Sequence, residues 1–297
     1  MEATALNQTW YTRVKQLKAG LNLQSITSEL VHQTIIRRPA ESHKGTYGRL
    51  MLIGGNQNFG GAIIMAATAA VYSGAGLVTV ATDASNFMSL HAQLPEAMVV
   101  DYHQTGFVTQ LLQTMDVIVI GPGLGTDQVA ANLLAVVLAQ LQPTQRLVID
   151  GSALTLLARR QGPLPAAQIV VTPHQMEWQR LSGLKIVDQT PTANHQAQQQ
   201  LGAIAVVKAH HTTVYTAEQV WFNPGGTPAM ATGGMGDTLA GMIGGFTAQF
   251  NDFTNAILSA VYLHSAIADD LAQSQYVVLP HQISARLPEY MHRYSLN

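Results

Sequence analysis

Short apolar runs alternate along the chain with longer stretches whose apolar residues recur at helical spacing. Strands this apolar are covered on both faces, and their alternation with helices predicts a mostly parallel central sheet flanked by helices. The predicted strands span residues 49–55, 77–82, 116–121, 146–150, 168–172 and 203–209. The predicted helices span residues 61–73, 127–141, 176–181, 192–201, 237–250 and 253–273.

Two segments depart from this alternation. Residues 212–222 contain two short β-rich runs around a tight connection, which predicts a β-hairpin. The first 40 residues predict a helical extension. Because no linker, low-complexity tract or fixed-period repeat interrupts residues 45–290, residues 41–297 are predicted to form a single α/β domain.

Residues 62–81 form a run of twenty residues without a charge, near the length that spans a bilayer. The middle of this run, "SGAG" at Ser73–Gly76, is typical of a helix end, and the "LVTVAT" that follows is β-rich. The pattern therefore favours a buried helix followed by a buried strand over a membrane span.

The composition narrows the function classes. Hydrophobic residues make up 47% of the chain, enough for a sizeable core, and a formal charge of -2 gives no reason to expect nucleic acid or an anionic membrane as partner. The absence of cysteine excludes disulfides and thiolate zinc sites, and it fits a cytoplasmic protein. Charged residues are only 11% of the chain and there are 11 Met, which predicts that some surface is buried in a homo-oligomer.

Glycines and polar residues follow the predicted strands where ligands bind in such sheets, at the carboxyl ends. Gly54 and Gly55 follow one strand, and Lys208 ends another. The other strand ends carry "GPGLGTD" at 121–127, Asp150 and "TPHQME" at 172–177. Glycine also simply ends strands, but several such ends together favour a polyphosphate site, since backbone N–H groups and helix N-termini bind anions.

An isolated carboxylate lies in the segment "MATGGMGDTLAGM" at 230–242, where Asp237 is the only charge among small and apolar residues. Asp237 is either the N-cap of the next helix or a catalytic group beside a phosphate that the glycines admit. The segment alone leaves both interpretations open. The intervals do not match a dinucleotide-binding G-x-G-x-x-G fingerprint, a P-loop or the protein-kinase signatures.

Taken together, these motifs resemble the ADP- or ATP-dependent NAD(P)H-hydrate dehydratases of the ribokinase-like superfamily, from about Ser42 to Ala272. The resemblance rests on "SHKGTYGRLMLIGG", "GGAIIMAATAAVYSGAGLVTVAT", "PEAM", "GPGLG", "TPHQME" and "NPGGTPAMATGGMGDTLAGMIGGF". It implies a three-layer α/β sandwich. It also implies an enzyme that repairs hydrated NADH or NADPH by phosphorylating the ring hydroxyl with ADP or ATP and eliminating phosphate, with Mg²⁺ as cofactor.

The resemblance also implies roles for particular residues. Asp237 matches the aspartate that takes the proton from the attacking hydroxyl, and it is expected to cap its helix as well. The expected anion hole for the transferred phosphoryl group is formed by Gly233, Gly234 and Gly236. The expected substrate contacts are Ala62, Gly123, His174 and Asp237. The expected nucleotide contacts are Lys208, Ala209, His210, His211, Thr212 and Gly236.

Two of these residues have an ordinary structural interpretation beside the functional one. Without the motif, His174 would be a hydrogen-bonded histidine at a strand end. Glu177 would be a helix surface residue, whereas the resemblance makes it the residue that organises Mg²⁺ through water.

The chain departs from the family pattern at two places. Lys208-Ala209 stands where Lys-Gly is usual and is followed by His210 and His211, which leaves the preference between ADP and ATP open. Adjacent histidines rarely chelate one ion well, so loop surface is the favoured interpretation of this pair. Met235 replaces the usual Thr or Ser at a position that varies across the superfamily.

Three further expectations follow from the resemblance. The chain is too short for the epimerase domain that many relatives carry, so a separate epimerase protein is the expected pathway partner. A tetramer is the expected assembly. The alternative functions are a vitamin-precursor kinase of the same superfamily, which would release a phosphorylated product, and a nucleotide-binding regulator without turnover.

Overall fold

A computed structural model describes residues 23–296, and they form a ten-stranded sheet between two layers of helices. The strands are β1 (Leu23–Ser25), β2 (Arg49–Ile53), β3 (Leu77–Thr82), β4 (Met98–Asp101), β5 (Val117–Ile120), β6 (Arg146–Ile149), β7 (Gln168–Val171), β8 (Ile204–Val207), β9 (Thr213–Tyr215) and β10 (Val220–Phe222). Their spatial order is β1-β10-β9-β8-β7-β6-β5-β2-β3-β4. Strands β2 to β8 are parallel, and among the strands of residues 23–296 only β9 runs antiparallel to its neighbours.

Eleven α-helices are found in the described part of the chain. They are α1 (Ser28–Thr34), α2 (Gly60–Tyr72), α3 (Phe87–Gln93), α4 (Thr105–Leu112), α5 (Gln128–Gln140), α6 (Gly151–Arg159), α7 (Gln175–Ser182), α8 (Pro191–Leu201), α9 (Met235–Gln249), α10 (Phe253–Leu271) and α11 (Pro280–Tyr294). None of the helices within residues 23–296 combines the length and apolar character that crossing a membrane requires.

The sheet is buried on both faces, as its apolar strands predict. Along β2, Leu50 and Leu52 face a core shared with α1, α2, α3, α9, α10 and α11. Met51 and Ile53 face a second core shared with α4 to α8. Successive side chains of a strand point to opposite faces, so a run of apolar residues is needed to fill both cores. The three-layer α/β sandwich is thereby confirmed.

Helices α2 and α9 approach each other closely because α9 presents glycines to α2. A Cβ built on Gly241 would lie 2.0 Å from the carbonyl oxygen of Ala66, and one built on Gly245 would lie 2.7 Å from the Cβ of Ser73. Any larger residue at these positions would push the helices apart. The amino ends of α2 and α9 therefore lie together at one edge of the sheet.

The predicted N-terminal extension lies partly outside the described residues. Within residues 23–40 the structure has strand β1, which pairs with β10, and helix α1. Ile26, Val31 and Ile35 are buried in the main core. This part of the extension therefore combines a strand with a helix and packs into the domain, while the boundary at residue 40 stays a prediction.

Candidate active site

The candidate site lies at the carboxyl edge of the sheet. Strand β2 has β5 on one side and β3 on the other, so the order of the parallel strands reverses there. Ligands bind at such a reversal, because the loops leaving the two neighbouring strands diverge and open a crevice. The loops that follow β2 and β5 are the glycine-rich segments identified from the sequence.

Ala62 and Gly123, the two predicted substrate contacts from these loops, lie side by side. Gly123 has a positive φ of 62°, and a Cβ built on it would lie 2.3 Å from the carbonyl oxygen of Phe59 and 3.0 Å from the Cβ of Ala62. The two loops are joined by a hydrogen bond of 2.7 Å from the Asn56 N–H to the Gly123 carbonyl. Only glycine at position 123 allows this close approach.

His174 and Glu177 form a reciprocal cap at the start of α7. Nδ1 of His174 accepts from the N–H groups of Met176 and Glu177 at 3.1 and 3.3 Å, and Oε2 of Glu177 accepts from the His174 N–H at 2.8 Å. Because Nδ1 is an acceptor, neutral His174 carries its proton on Nε2. The His174 side chain is about half exposed, whereas Glu177 is buried, and burial raises the pKa of Glu177.

Asp237 is the third residue of α9, and this position corrects one prediction. The N-cap of α9 is Gly234, which has a left-handed φ of 94° and no side chain that could form a capping hydrogen bond. The helix therefore begins at Met235, two residues earlier than predicted, and Asp237 is not its N-cap. The sequence misled because Asp is a favoured capping residue, whereas here a glycine in the left-handed conformation opens the helix.

The carboxyl group of Asp237 lies in an environment that favours its protonated form. Burial, reinforced by the negative charge of Asp150, raises the pKa of Asp237 to about 6, and Lys208 opposes this shift. A carboxylate with a pKa near neutrality can both accept and release a proton at physiological pH.

The three glycines of the predicted anion hole lie immediately before and within the first turn of α9. Gly233 is exposed, and a Cβ built on it would meet nothing within 4 Å. A Cβ on Gly236 would lie 3.1 Å from Nζ of Lys208. The glycines therefore leave the N-terminal N–H groups of α9 open to an anion and place an ammonium group beside them.

Lys208 is held by a residue to which the sequence interpretation gave no role. Its Nζ donates to Oδ1 of Asp150 at 2.8 Å, and the same oxygen accepts from Oγ1 of Thr172 at 2.6 Å. Asp150 directly follows β6 and Lys208 directly follows β8, so the pair spans the end of β7. Asp150 was visible as a polar strand end, but no motif indicated its partner.

A cavity of about 380 Å³ extends from Lys208 and Gly236. Five of the six predicted nucleotide contacts line it, namely Lys208, Ala209, His210, Thr212 and Gly236. The ring of His211 instead packs against Phe222, with ring centroids 5.2 Å apart. A volume of this size and a polar end with one ammonium group suit a nucleotide.

Other residues of the cavity had no predicted role, although Gly226 lies within the segment "NPGGTPAMATGGMGDTLAGMIGGF". Gly226 donates its N–H to Asp269 on α10 at 3.0 Å, which holds the glycine loop 225–226 against that helix. His264, also on α10, is buried beside Met235, and burial together with Lys208 lowers the pKa of His264 to about 4. Helix α10 was predicted, but the face it turns to the cavity depends on tertiary packing.

Within residues 23–296, no three or more His, Asp or Glu side chains are grouped so that they could hold a metal ion directly. The rings of His210 and His211 lie 4.3 Å apart, but no third ligand joins them. Asp150, Glu177 and Asp237 nevertheless influence one another electrostatically around Lys208. These carboxylates are therefore better arranged to hold a divalent cation through its bound water than to coordinate the cation directly.

Comparison with known proteins gives a consistent result. Residues 50–289 match the model of the family described as NAD(P)H-hydrate dehydratase. An ADP-dependent (S)-NAD(P)H-hydrate dehydratase from Lactiplantibacillus plantarum is 78% identical over 92% of this chain and 98% of its own length.

Solved structures agree with the sequence comparison. A ribokinase-like superfamily protein from Enterococcus faecalis is 50% identical over 93% of this chain and 97% of that chain, with a TM-score of 0.91. An ADP/ATP-dependent NAD(P)H-hydrate dehydratase from Bacillus subtilis, co-crystallised with ATP and Mg²⁺, is 32% identical over 93% of this chain and 99% of that chain, with a TM-score of 0.84.

Proposed function

The chain belongs to the NAD(P)H-hydrate dehydratase family, and on that premise we propose that it is an ADP-dependent (S)-NAD(P)H-hydrate dehydratase that uses Asp237 as its general base. One observation carries the residue assignment. Asp237 lies in the first turn of α9, next to Gly236 and near enough to Lys208 to feel its charge, and its pKa is raised to about 6. A base in this position can take a proton from a hydroxyl that faces the helix N-terminus.

The reaction begins with phosphoryl transfer. Asp237 takes the proton of the nicotinamide ring hydroxyl as its oxygen forms a bond to the terminal phosphorus of ADP, and the bond from that phosphorus to the leaving AMP breaks. The N–H groups at Gly233, Gly234 and Gly236 and the ammonium of Lys208 stabilise the charge on the transferred group. Preorganised positive charge of this kind supplies most of the acceleration in phosphoryl transfer.

Elimination completes the repair. The carbon–oxygen bond of the phosphorylated ring breaks, phosphate leaves with the bonding electrons, and the neighbouring carbon gives up a proton to water, which restores the double bond. Ala62 and Gly123 bind the substrate at the adjacent crevice. His174, whose side chain is about half exposed, contributes a ring nitrogen to binding of the same substrate.

Mg²⁺ fits this site as a hydrated ion held through water by Glu177. One carboxylate oxygen of Glu177 is engaged by the His174 N–H, and the other lies 3.5 Å from His174 Nε2. When bound, Mg²⁺ neutralises part of the phosphate charge. The nucleotide occupies the cavity next to Lys208, and its phosphates extend toward α9.

The assay follows recovery of reduced-nicotinamide absorbance from hydrated NADH with Mg²⁺ and ADP, with nucleotide omitted as the control. We expect reduced cofactor, AMP and phosphate in equal amounts. A vitamin-precursor kinase would instead accumulate a phosphorylated product without releasing phosphate, and a regulator would bind ADP without turnover. Either result would contradict the proposed function.

The protein is proposed to act in the cytoplasm as a homo-oligomer, with a tetramer as the expected assembly and a separate epimerase that supplies the correct substrate epimer. The low fraction of charged residues and the absence of cysteine support this setting. Light scattering at micromolar concentration measures the assembly, and a monomer would contradict it.

A further inference from the structure

Asp150 occupies a helix N-cap position without acting as a cap. It is the residue before α6, where an aspartate ordinarily accepts a hydrogen bond from the first turn, yet its side chain makes no such bond. Its Oδ1 accepts from Lys208 and Thr172 instead. Only 3% of the side chain is exposed. The carboxylate of Asp150 is therefore committed to Lys208 rather than to its own helix.

Stability alone does not account for this pair. Burying two charges costs several kcal/mol per ion, and the attraction between them often does no more than offset that cost. Burial would lower the pKa of Lys208, but Asp150, Glu177 and Asp237 together raise it above its usual value. Lys208 thus stays charged in the interior, at the opening of α9.

Three carboxylates act on the Lys208 ammonium; Glu177 does so as a nearby charge, and Asp150 and Asp237 are the two that bear on phosphoryl transfer. Asp150 binds it directly at 2.8 Å, while Asp237 acts on it only as a nearby charge. If Lys208 turned to Asp237, the ion pair would lower the pKa of Asp237 and occupy the oxygen that must receive the substrate proton. Gly236 makes room for the observed arrangement, because Nζ lies 3.1 Å from where its Cβ would be.

We propose that Asp150 is a positioning residue for phosphoryl transfer, which holds the Lys208 ammonium beside Gly236 and away from Asp237. The cation is thereby directed at the transferred phosphoryl group, and the base is left unpaired. This proposal rests on the proposed function, because it assigns Asp150 a part in the same step.

A double-mutant cycle tests whether Asp150 acts through Lys208. The variants are Asp150→Asn, Lys208→Met and the double variant, each measured for kcat and for ADP affinity by calorimetry. Removal of a positioning interaction is expected to lower kcat by about tenfold or more in D150N, while ADP affinity stays within about threefold because Lys208 keeps its charge. In the K208M background, we expect D150N to change kcat by less than about twofold.

Asp116→Asn is the matched control. It makes the same chemical change at the opposite edge of the sheet, where Asp116 accepts from the Arg49 N–H at 2.7 Å, and we expect it to leave kcat and ADP affinity unchanged. An equal loss of kcat from D150N in both backgrounds would overturn the proposal. So would a D150N variant that fails to fold while the double variant folds, since Asp150 would then serve only to neutralise a buried lysine.

Failure of the proposed function would give a different result. If the wild-type protein binds ADP but restores no reduced nicotinamide, the proposed function is wrong. The positioning role of Asp150 can then still be tested by a crystal structure. In a crystal structure of D150N, we expect Lys208 Nζ within hydrogen-bond distance of Asp237, about 3 Å. An ammonium group that remains beside residue 150 would overturn the proposal whatever the substrate.

Discussion

The imidazole of His174 and the carboxylate of Glu177 cap the first turn of α7 together, each accepting from a backbone N–H of the other. One ring nitrogen of His174, Nδ1, is thus used by the helix cap, and the other, Nε2, lies 3.5 Å from Oε1 of Glu177 on a side chain that is about half exposed. The ordinary structural interpretation of His174 is confirmed by these bonds, its contact with the substrate stays a prediction, and two substitutions at this position separate the two roles.

We expect His174→Asn and His174→Ala to raise the KM for hydrated NADH by about two- to twelvefold. This factor corresponds to the loss of one hydrogen bond to the substrate, worth about 0.5–1.5 kcal/mol. Asn can still accept from the helix N–H groups, so its melting temperature should match that of the wild type. Ala removes the cap and should destabilise the protein by about 1 kcal/mol. Steady-state kinetics and thermal melts check this, and an unchanged KM in both variants would leave His174 as a cap alone.

Asp237→Asn should lower kcat by about 10²- to 10⁴-fold, because an amide cannot take the substrate proton. ADP affinity should be largely retained. Burial disfavours the charged form of Asp237, so the variant should melt at the same temperature as the wild type or higher at pH 7.5. Since Asp237 is not the N-cap, no capping bond is lost. Near-normal kcat would remove the catalytic assignment.

The pH dependence of the wild-type reaction should show an acidic limb with an apparent pKa of about 6, the value to which burial and Asp150 raise the pKa of Asp237. Activity falls below that pH because Asp237 is then protonated. Folding stability depends on pH in the opposite direction. The raised pKa of Asp237 stabilises the folded state below pH 3.8, and this contribution is lost as pH rises through about 6. Rate profiles and melts between pH 4.5 and about 8 measure both effects. An acidic limb that persists in the residual activity of D237N would belong to another group.

Phosphoryl transfer should require a donor with a transferable group, and we expect ADP to serve at least as well as ATP. AMP has no phosphoanhydride bond and should give no turnover. Parallel assays with the three nucleotides at equal concentration check this. Turnover with AMP equal to that with ADP would exclude the phosphorylation mechanism.

Gly236→Ala should lower kcat, because the new Cβ would lie 3.1 Å from Lys208 Nζ and displace an ammonium group that Asp150 holds in place. Gly106→Ala is the matched control: this helical glycine has nothing within 4 Å of its Cβ position, and the substitution should leave kcat unchanged. Steady-state kinetics of both variants provide the comparison. Equal kcat values would show that Lys208 tolerates displacement.

Local pattern predicted the central part of the fold well. Strand β3 was predicted at its observed bounds, and the other parallel strands from β2 to β8, except β4, were predicted within two residues of theirs. Each is apolar on both faces, which is the strongest signal a strand can carry. The hairpin of β9 and β10 was likewise predicted from its two short runs.

The elements that were not predicted lack that signal. Strand β4 at the sheet edge is four residues long and only partly buried, and β1 is a three-residue strand that exists through pairing with β10. Helix α11 carries Pro288 inside it, which argues against a helix in a sequence-based interpretation. Strands β1 and β4 are thus determined by their neighbours in space, whereas α11 has buried residues at helical spacing, such as Ile283 and Leu287, in a pattern that Pro288 interrupts.

The features of the candidate site likewise divide into those that local sequence predicts and those that depend on the fold. Residues within motifs, such as Asp237 and His174, could be identified from neighbouring sequence. The contact between Asp150 and Lys208 joins residues 58 positions apart, and it arises only because β6 and β8 end at the same edge of the sheet. No local pattern encodes such a pairing.

The glycines that bring α2 and α9 together have a consequence for how the enzyme can be altered. Helix α2 carries Ala62 near its amino end, and α9 carries Asp237 near its own. The contact of Gly241 with the Ala66 backbone therefore fixes the distance between Ala62, the proposed substrate contact, and Asp237, the proposed base, from a position in the core. A methyl group added there would misalign the reaction without changing any group that touches the reactants, so the tolerance of this site to mutation is limited by packing as much as by chemistry.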